Sequence, residues 1–216
     1  MNRRSTLRAA ITLTAAAALT LSACGSDSAD DEGAGAATGT RKAASPTASQ
    51  SAAVAVDRPK IELPADLTYT FAWPKTGDQE KDAVLSDSEQ SIKAVDLAIA
   101  NQDALDKPYL FYYEGEAAAG TEQFIQNYVK NKARTTGAYR FYDPNVAVAG
   151  KGTASLSYCE DQGKAYVMYL KGKQVKKTPV TARSYVAYQT SLKKNEKGVW
   201  VIQEITSQQG SAKCQP

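Results

Sequence analysis

The sequence predicts an α+β domain in which helices pack on an antiparallel sheet. Residues 78–133 carry apolar residues at steps of three and four, which is typical of helices, whereas residues 138–207 alternate apolar and polar residues between turn sequences, which is typical of strands. Long antiparallel strands with one half-solvated face, preceded by helices, favour a sheet that the helices cover. We expect a single domain over residues 57–216, after an export signal and a linker.

Residues 1–23 have the parts of a secretory signal peptide. Basic residues come first, an apolar run of 13 residues follows from Ala9 to Leu21, and small residues precede Cys24. This run is too short to span a bilayer as a helix. The Arg3-Arg4 pair leaves general secretory and twin-arginine export both open.

Leu21-Ser22-Ala23-Cys24 resembles the lipobox of bacterial lipoproteins. The resemblance implies cleavage before Cys24 and attachment of acyl chains to that cysteine. One acyl chain anchors a protein marginally and several anchor it stably. We therefore expect the mature protein to be lipid-anchored on the outer face of the cytoplasmic membrane.

Residues 24–56 are expected to form a disordered tether. Of the 32 residues after Cys24, 22 are Ala, Gly, Ser or Thr and none is aromatic. Such a segment cannot bury enough apolar surface to offset the entropy of ordering. As a flexible coil it would reach roughly 30 Å. We interpret its acidic cluster, residues 27–32, as solvated charge rather than a metal site.

The segment 57–133 predicts a short extended stretch followed by helices. Leu67–Phe71 has the pattern of a strand, and Asp78–Gln102 is predicted to be the first helix. Its buried face is formed by Leu85, Ser88, Ile92, Val95 and Ile99. Thr121 is expected to cap a second helix that runs to Ala133. The buried face of that helix is formed by Phe124, Ile125, Tyr128 and Val129.

Tyr109–Tyr113 is the densest aromatic patch of the chain. Two interpretations stay open: a short helix or turn that fills the core, or the wall of a ligand pocket. Tyrosine suits a pocket wall because it combines an apolar ring with a polar tip. The candidate pocket residues are Tyr109, Phe111, Tyr112, Tyr128, Tyr142 and Tyr185.

Five strands are predicted after the helices. The first, Ala138–Ala149, is expected to bend at Asp143-Pro144, because proline cannot pair in the middle of a sheet. The polar sequence Glu160-Asp161-Gln162-Gly163 predicts a loop between the second and third strands. The other predicted strands are Thr153–Cys159, Ala165–Leu170, Ala182–Leu192 and Val199–Ser207.

Cys159 and Cys214 are predicted to form a disulfide. An exported protein matures in an oxidising compartment, and lipidation of Cys24 leaves these two thiols. The bridge would close a loop of about 55 residues and stabilise the fold by roughly 4 kcal/mol on the chain-entropy model. The alternative is a nucleophilic thiol, but the sequence contains no histidine to activate one.

Composition excludes several classes of function. Without residues 1–23 the chain holds 23 basic and 23 acidic residues, so we expect no nucleic-acid partner, because non-specific binding needs excess positive charge. The absence of histidine removes the usual general base near neutral pH, and the cysteines lack zinc spacing. We therefore expect neither a metal nor a cofactor.

Charge is unevenly distributed along the predicted domain. Residues 57–149 hold 10 basic and 15 acidic residues, whereas residues 150–216 hold 11 and 4. A basic turn carries Lys171, Lys173, Lys176 and Lys177. These lysines would either face anionic lipid or wall polymer, or protect a strand edge from aggregation.

The order of several motifs resembles that of a known group of proteins. The motifs are Thr76-Gly77-Asp78, Asp82-Ala83-Val84-Leu85, Tyr158-Cys159-Glu160-Asp161, Gly198-Val199-Trp200-Val201 and Gly210–Cys214. Over Leu67–Cys214 the chain resembles secreted lipoproteins of actinobacteria with a cone-shaped domain like nuclear transport factor 2. The resemblance implies helices on the concave side of a strongly curved antiparallel sheet, and a cysteine pair that joins the sheet to the tail.

The expected function is that of a binding or interaction module for a small apolar ligand or an envelope protein. The alternative is an isomerase- or dehydratase-like enzyme, because cone folds of this type include enzymes with Asp, His or Tyr inside the cone. The candidate acid–base groups are Asp143, Glu114 or Glu116 with Tyr112 or Tyr142. No spacing brings them together, so no catalytic residue is assigned. A buried carboxylate that contacts a tyrosine inside an open pocket would favour the enzyme.

Overall fold

The computed structural model describes residues 56–216, which form three α-helices and a six-stranded sheet. In chain order, the three helices follow the first strand and precede the second. The predicted signal peptide, Cys24 and the predicted linker up to residue 55 lie outside the described residues. The helices are α1 (Gln79–Asn101), α2 (Lys107–Tyr112) and α3 (Gly115–Lys130). The strands are β1 (Leu67–Phe71), β2 (Ala133–Ala149), β3 (Thr153–Tyr169), β4 (Gln174–Lys176), β5 (Tyr185–Lys194) and β6 (Trp200–Gln209).

The sheet has the order β1-β2-β3-β5-β6, with the short strand β4 paired to β3. All neighbours are antiparallel except β1, which pairs in parallel with β2 and makes the sheet mixed. Helix α1 contacts both β2 and β6, although β3 and β5 separate these strands in the sheet. The sheet therefore curves around the helices, which confirms the predicted α+β class with helices on the concave side.

Two sequences that are typical of turns form bulges inside long strands. Asp143 and Pro144 of β2 lie opposite the single residue Tyr158 of β3, so the bend predicted there is confirmed. The predicted loop at Glu160–Gly163 is wrong, because β3 is one continuous strand of 17 residues. Gln162 and Gly163 instead form a second bulge opposite Tyr139. A bulge bends a strand and increases its twist, so both positions add curvature to the sheet.

Helix α1 begins as the sequence predicts. The carboxylate of Asp78 accepts hydrogen bonds from the backbone N–H groups of Glu80 (2.9 Å) and Lys81 (3.1 Å), which satisfies donors that a helix start leaves free. Helix α3 differs from the prediction, because it begins at Gly115 rather than after Thr121. Gly115 has a φ of 58°, which lets the chain turn between α2 and α3 and places Thr121 within the helix.

The core is formed by α1, α2 and the inner face of the sheet. Its largest fully buried side chains include Trp200, Tyr109, Tyr112 and Phe141. A partly buried ion pair connects the start of the domain to this core: the guanidinium of Arg58 donates to Asp87 through Nε (2.7 Å) and Nη2 (3.1 Å). The backbone N–H of Trp200 donates to the same carboxylate (2.9 Å).

The predicted disulfide between Cys159 and Cys214 is present in the structure. Both cysteines are buried, and the hydroxyl of Tyr142 donates to the carbonyl oxygen of Cys214. The bridge joins β3 to the tail that follows β6, so it holds the carboxyl terminus against the outer face of the sheet.

The basic turn contains a short 3₁₀ turn at Lys171–Lys173 and continues into the edge strand β4. All residues from 169 to 183 are exposed, including the four lysines. Lysine on a short edge strand disfavours pairing with another chain. None of the helices within residues 56–216 is both long enough and apolar enough to cross a membrane.

Candidate functional site

A cavity of about 780 Å³ lies between α1, α3 and the concave face of the sheet. Its rim carries exposed side chains, among them Glu116, Glu204 and Phe124, which is 50% exposed. The cavity is therefore open to solvent, and its volume falls in the range of small-molecule sites. The residues that line its interior include Ile92, Val95, Asp96, Tyr113, Tyr128, Thr135, Tyr139, Phe141, Tyr158, Glu160, Gln162, Val186 and Tyr188.

Strand alternation directs the polar residues of the sheet into this cavity. Tyr158, Glu160 and Gln162 on β3 line it, so the residues between them point to the other face. Tyr158 lies directly opposite Tyr188 of β5 in the antiparallel register. Glu160 is thus the diagonal neighbour of Tyr188, close enough for long side chains to meet.

Glu160 is a buried carboxylate that accepts a hydrogen bond from a neighbouring side chain. Its residue is 6% exposed, and Nε2 of Gln162 donates to its Oε2 at 2.8 Å. Burial raises the pKa of Glu160 to about 7, against the lowering effects of Gln162 and of the nearby hydroxyl of Tyr188.

Asp96 reaches the cavity from α1, on the opposite wall. The hydroxyl Oγ1 of Thr135, on β2, donates to its Oδ1 at 2.6 Å. Burial raises the pKa of Asp96 to about 7. The charge of Asp96 also raises the pKa of Glu160, so the two carboxylates are electrostatically coupled across the cavity.

Tyrosines surround the two carboxylates. Burial raises the pKa of Tyr139, Tyr158 and Tyr188 well above the usual value, and the charge of Glu160 adds to the effect on each of them. Burial raises the pKa of Tyr128 to about 12. These hydroxyls are therefore neutral near pH 7, when each carboxyl is partly ionised, so the cavity offers both proton acceptors and hydrogen-bond donors.

Of the pocket residues that the sequence predicts, Tyr128 lines this cavity. Tyr109 and Tyr112 do not, because they are fully buried on the core side of α2, where the hydroxyl of Tyr109 donates to the carbonyl oxygen of Ala118. Of the two interpretations of the aromatic patch, the structure therefore favours core filling for these residues. Phe111 borders a separate hollow of about 250 Å³ beside Arg58.

Tyr142 and Tyr185 belong to the outer face of the sheet. Tyr142 pairs with Cys159 of β3, and Tyr185 pairs with Asp161. Since Tyr158 and Glu160 point into the cavity, the alternation of β3 turns Cys159 and Asp161 away from it. The sequence-based choice of aromatic residues did not distinguish the two faces.

The carboxylates considered from the sequence lie outside the interior of the cavity. Glu116 is an exposed rim residue, Glu114 accepts a hydrogen bond from Gln203, and Asp143 is exposed at the bulge of β2. The functional carboxylates that the sequence interpretation missed are Asp96 and Glu160. Asp96 follows Ile92 by four residues, so a carboxylate within the apolar stripe of α1 was the available signal.

The described residues contain no group of three or more Cys, Asp or Glu side chains arranged to hold a metal ion. The two interior carboxylates line the cavity together with tyrosine and threonine side chains, which are groups that can hydrogen-bond an organic ligand.

No family model and no curated protein matches the sequence. The fold is similar to that of solved structures at low sequence identity. A ketosteroid isomerase-like protein from Erwinia carotovora atroseptica SCRI1043 has 10% identity and a TM-score of 0.44, covering 62% of this chain and 98% of that one. A nuclear transport factor 2 (NTF2-like) superfamily protein from Salmonella enterica Typhimurium LT2 has 12% identity and a TM-score of 0.42, covering 61% and 92%.

A third structure, a type 2 hexachlorocyclohexane dehydrochlorinase (LinA), has 7% identity and a TM-score of 0.42, covering 62% of this chain and 90% of that one. These likenesses concern the fold. The activities in the names of these proteins are properties of those proteins.

Proposed function

We propose that this protein binds a small organic molecule in the cavity between its helices and its sheet, and that lipid on Cys24 holds it at the outer face of the cytoplasmic membrane. The open cavity of about 780 Å³ is the observation that supports binding most directly. The interior carboxylates make this site more polar than the aromatic-lined pocket for a small apolar ligand that the sequence predicts.

The distribution of polar groups supports binding further. Most of the interior is aromatic or aliphatic, and the polar groups that enter it, Asp96, Glu160 and the tyrosine hydroxyls, converge from opposite walls. A largely apolar cavity with few convergent polar groups is the usual form of a ligand site. The raised pKa values of Asp96 and Glu160 add to this, because strongly shifted carboxyls in a cleft concentrate at functional sites.

A cavity-filling variant tests the proposal. Gly120 lines the cavity on α3, and a side chain added there meets no atom within 4 Å, so Gly120→Leu places its side chain in open space. The matched control is Ala119→Leu, at the neighbouring exposed position that does not line the cavity. Saturation-transfer NMR would screen soluble aromatic and alicyclic fragments of positive, neutral and negative charge against both variants and the parent.

We expect fragments that bind the parent and Ala119→Leu and that lose binding in Gly120→Leu. If no fragment binds the parent, or if binding persists unchanged in Gly120→Leu, the cavity is not a binding site.

Acid–base catalysis is a second candidate, because the buried carboxylate of Glu160 and the side chain of Tyr188 lie on neighbouring strands and line the same open pocket. A carboxyl whose pKa lies near 7 exchanges protons efficiently at neutral pH. In this role Glu160 would accept a proton from the carbon beside a carbonyl group. A tyrosine hydroxyl of the cavity would donate a hydrogen bond to the enolate oxygen, and Glu160 would return the proton to another carbon of the same molecule.

Proton exchange tests this candidate. Incubation of 2-tetralone with the protein in D₂O would be followed by loss of the α-proton signals in NMR. If the candidate is correct, Glu160→Gln abolishes the protein-dependent exchange, whereas Asp161→Asn, on the outer face, retains it. Exchange at the rate of buffer alone would leave binding as the only proposal for this cavity.

The anchor is tested by replacing the cysteine that would carry the lipid. Cys24→Ser is expected to move the protein from the membrane fraction to the soluble fraction, because removal of the acyl chains leaves no stable anchor. Retention in the membrane fraction would contradict lipid anchoring at Cys24.

A further inference from the structure

We infer that the cavity is selective for an organic cation, such as a protonated amine with an apolar body. This inference rests on the proposed function and specifies its ligand class. It follows from the charges, the rings and the hydrogen-bond partners that line the cavity, taken in turn.

The charged groups that line the cavity are all acidic. They are Asp96 from α1, Glu116 from α3, Glu160 from β3 and Glu204 from β6, and no lysine or arginine of residues 56–216 lines the cavity. Within this part of the chain, no cation therefore lies beside the two carboxylates of the interior. A low-dielectric space that holds carboxylates of one sign attracts positive charge and repels anions.

Aromatic rings form much of the wall around these carboxylates. Tyr139 and Phe141 line the cavity from β2, Tyr158 from β3, Tyr188 from β5 and Tyr128 from α3. The face of an aromatic ring carries partial negative charge and attracts ammonium groups. The remaining aliphatic residues, such as Ile92, Val95 and Val186, suit the hydrocarbon part of the same ligand.

The hydrogen bonds of the carboxylates leave room for a donor from the ligand. Among the described residues, Asp96 and Glu160 each accept one hydrogen bond from a side chain. An ionised carboxylate has about four acceptor positions. An ammonium group between the two carboxylates would supply the missing donors and compensate the charge that burial penalises.

Three probes that share the same hydrocarbon body but differ in charge distinguish the effect of charge on binding from the effect of shape. Adamantan-1-amine is a cation near neutral pH, adamantan-1-ol is neutral and adamantane-1-carboxylate is an anion. Titration of the soluble domain would be followed by ¹H–¹⁵N NMR at about pH 8. We expect the amine to bind at least about tenfold more tightly than the alcohol, as charge-assisted contacts of this kind allow, and the carboxylate not to bind.

The pH dependence of the amine gives a second readout. The titratable groups that line the cavity are the four carboxyls and the hydroxyls of Tyr113, Tyr128, Tyr139, Tyr158 and Tyr188. Between about pH 6 and pH 8 the interior carboxyls ionise while the tyrosines stay neutral. The affinity for adamantan-1-amine is therefore expected to rise over this interval, while that for the alcohol does not.

Isosteric variants connect the preference to the two carboxylates. Asp96→Asn and Glu160→Gln keep the side-chain shape, and each should reduce the preference for amine over alcohol at least about threefold. The matched controls Asp143→Asn and Glu196→Gln lie at exposed positions outside the cavity and should leave it unchanged.

The possible failures are distinguishable. If the alcohol or the carboxylate binds as tightly as the amine, the cation inference is overturned while the binding proposal stands. If none of the three probes binds, and the fragment screen with Gly120→Leu also finds no ligand, both are overturned. If the amine is preferred but the interior variants behave like their controls, the carboxylates are not its recognition groups and the inference fails.

Discussion

Helix α1 carries two aspartates that point into the molecule, and their surroundings differ. Asp87 is 1% exposed, and the guanidinium of Arg58 and the backbone N–H of Trp200 donate three hydrogen bonds to it. Asp96, nine residues later, accepts one hydrogen bond from Thr135 and faces the open cavity.

The difference distinguishes a carboxylate that stabilises the fold, Asp87, from one that is available to bind a ligand, Asp96. Asp87 is paired with a cation and accepts three hydrogen bonds, so its removal leaves the groups that donate to it without partners. Among the described residues, Asp96 is paired with no cation and accepts one hydrogen bond, so its charge destabilises the folded state unless a ligand compensates it. Substitutions at the two positions should therefore change stability in opposite directions.

The largest expected effect is the loss of stability in Asp87→Ala. Removal of the carboxylate leaves the N–H of Trp200 without its acceptor and Arg58, which is 37% exposed, without its ion-pair partner. We expect the free energy of unfolding to fall by about 3 kcal/mol, measured by urea denaturation. A loss below about 1 kcal/mol would show that Asp87 is not structural in this sense.

Removal of the disulfide tests whether the outer face of β3 affects the cavity. Cys159 lies on the outer face, and Glu160, the next residue, lies on the cavity face. The double variant Cys159→Ala/Cys214→Ala is expected to lose about 2–4 kcal/mol of stability, since the bridge constrains the unfolded chain. Because Cys159 faces away from the cavity, fragment binding below the unfolding transition should be unchanged. Loss of binding in the folded double variant would mean that the tail shapes the cavity.

In contrast to Asp87→Ala, the Asp96→Asn substitution is expected to raise the free energy of unfolding. Burial raises the pKa of Asp96 to about 7, so ionisation costs free energy in the folded state that the unfolded chain does not incur. This cost is absent near pH 4, grows as pH rises, and is complete above about pH 7. The variant should be more stable than the parent by about 1–3 kcal/mol at pH 8 and equal to it near pH 4.

Urea denaturation at the two pH values measures this difference, and Glu160→Gln should behave in the same way. An Asp96→Asn variant that is less stable than the parent at pH 8 would place Asp96 with Asp87 among the structural carboxylates.

The smallest effect is expected at an exposed pair, which gives the baseline for the comparison. Lys194 on β5 forms an ion pair with Glu80 at the start of α1 (2.8 Å). Exposed ion pairs contribute little, so Lys194→Gln should lower the free energy of unfolding by less than about 1 kcal/mol. A larger loss would indicate that the contact of Lys194 with the ring of Trp200 also contributes.

The sequence predicted elements whose signals are local. The first helix, the strand at Leu67–Phe71 and the bend at Pro144 each depend on a few neighbouring residues, and all are confirmed. The disulfide pairing followed from a choice of two thiols and is present in the structure.

The site could not be predicted in the same way. Glu160-Asp161-Gln162-Gly163 is a typical turn sequence, and the carboxylate of Asp161 does accept a hydrogen bond from the N–H of Gly163 (2.7 Å). Pairing with β2 and β5 nevertheless keeps the strand continuous and converts the turn into a bulge. Because the sequence predicts a loop here, Glu160 is not among the predicted pocket residues, although the pattern Tyr158-x-Glu160-x-Gln162 aligns with one face of a strand.

The convergence of Asp96 and Glu160 depends on tertiary contacts. Asp96 lies on α1 and Glu160 lies 64 positions later on β3, and the packing of α1 against the curved sheet brings both to the same cavity. Neither helical nor strand periodicity contains that information.

The most direct test of the central claim is a ¹³C NMR titration of the side-chain carboxyls of the soluble domain from about pH 4 to pH 9, without and with adamantan-1-amine. Asp96 and Glu160 should titrate near pH 7 in the free protein, and the amine should lower both midpoints because it stabilises the ionised forms. Midpoints near 4 that do not move when the amine is added would contradict the account of two available carboxylates in a ligand cavity.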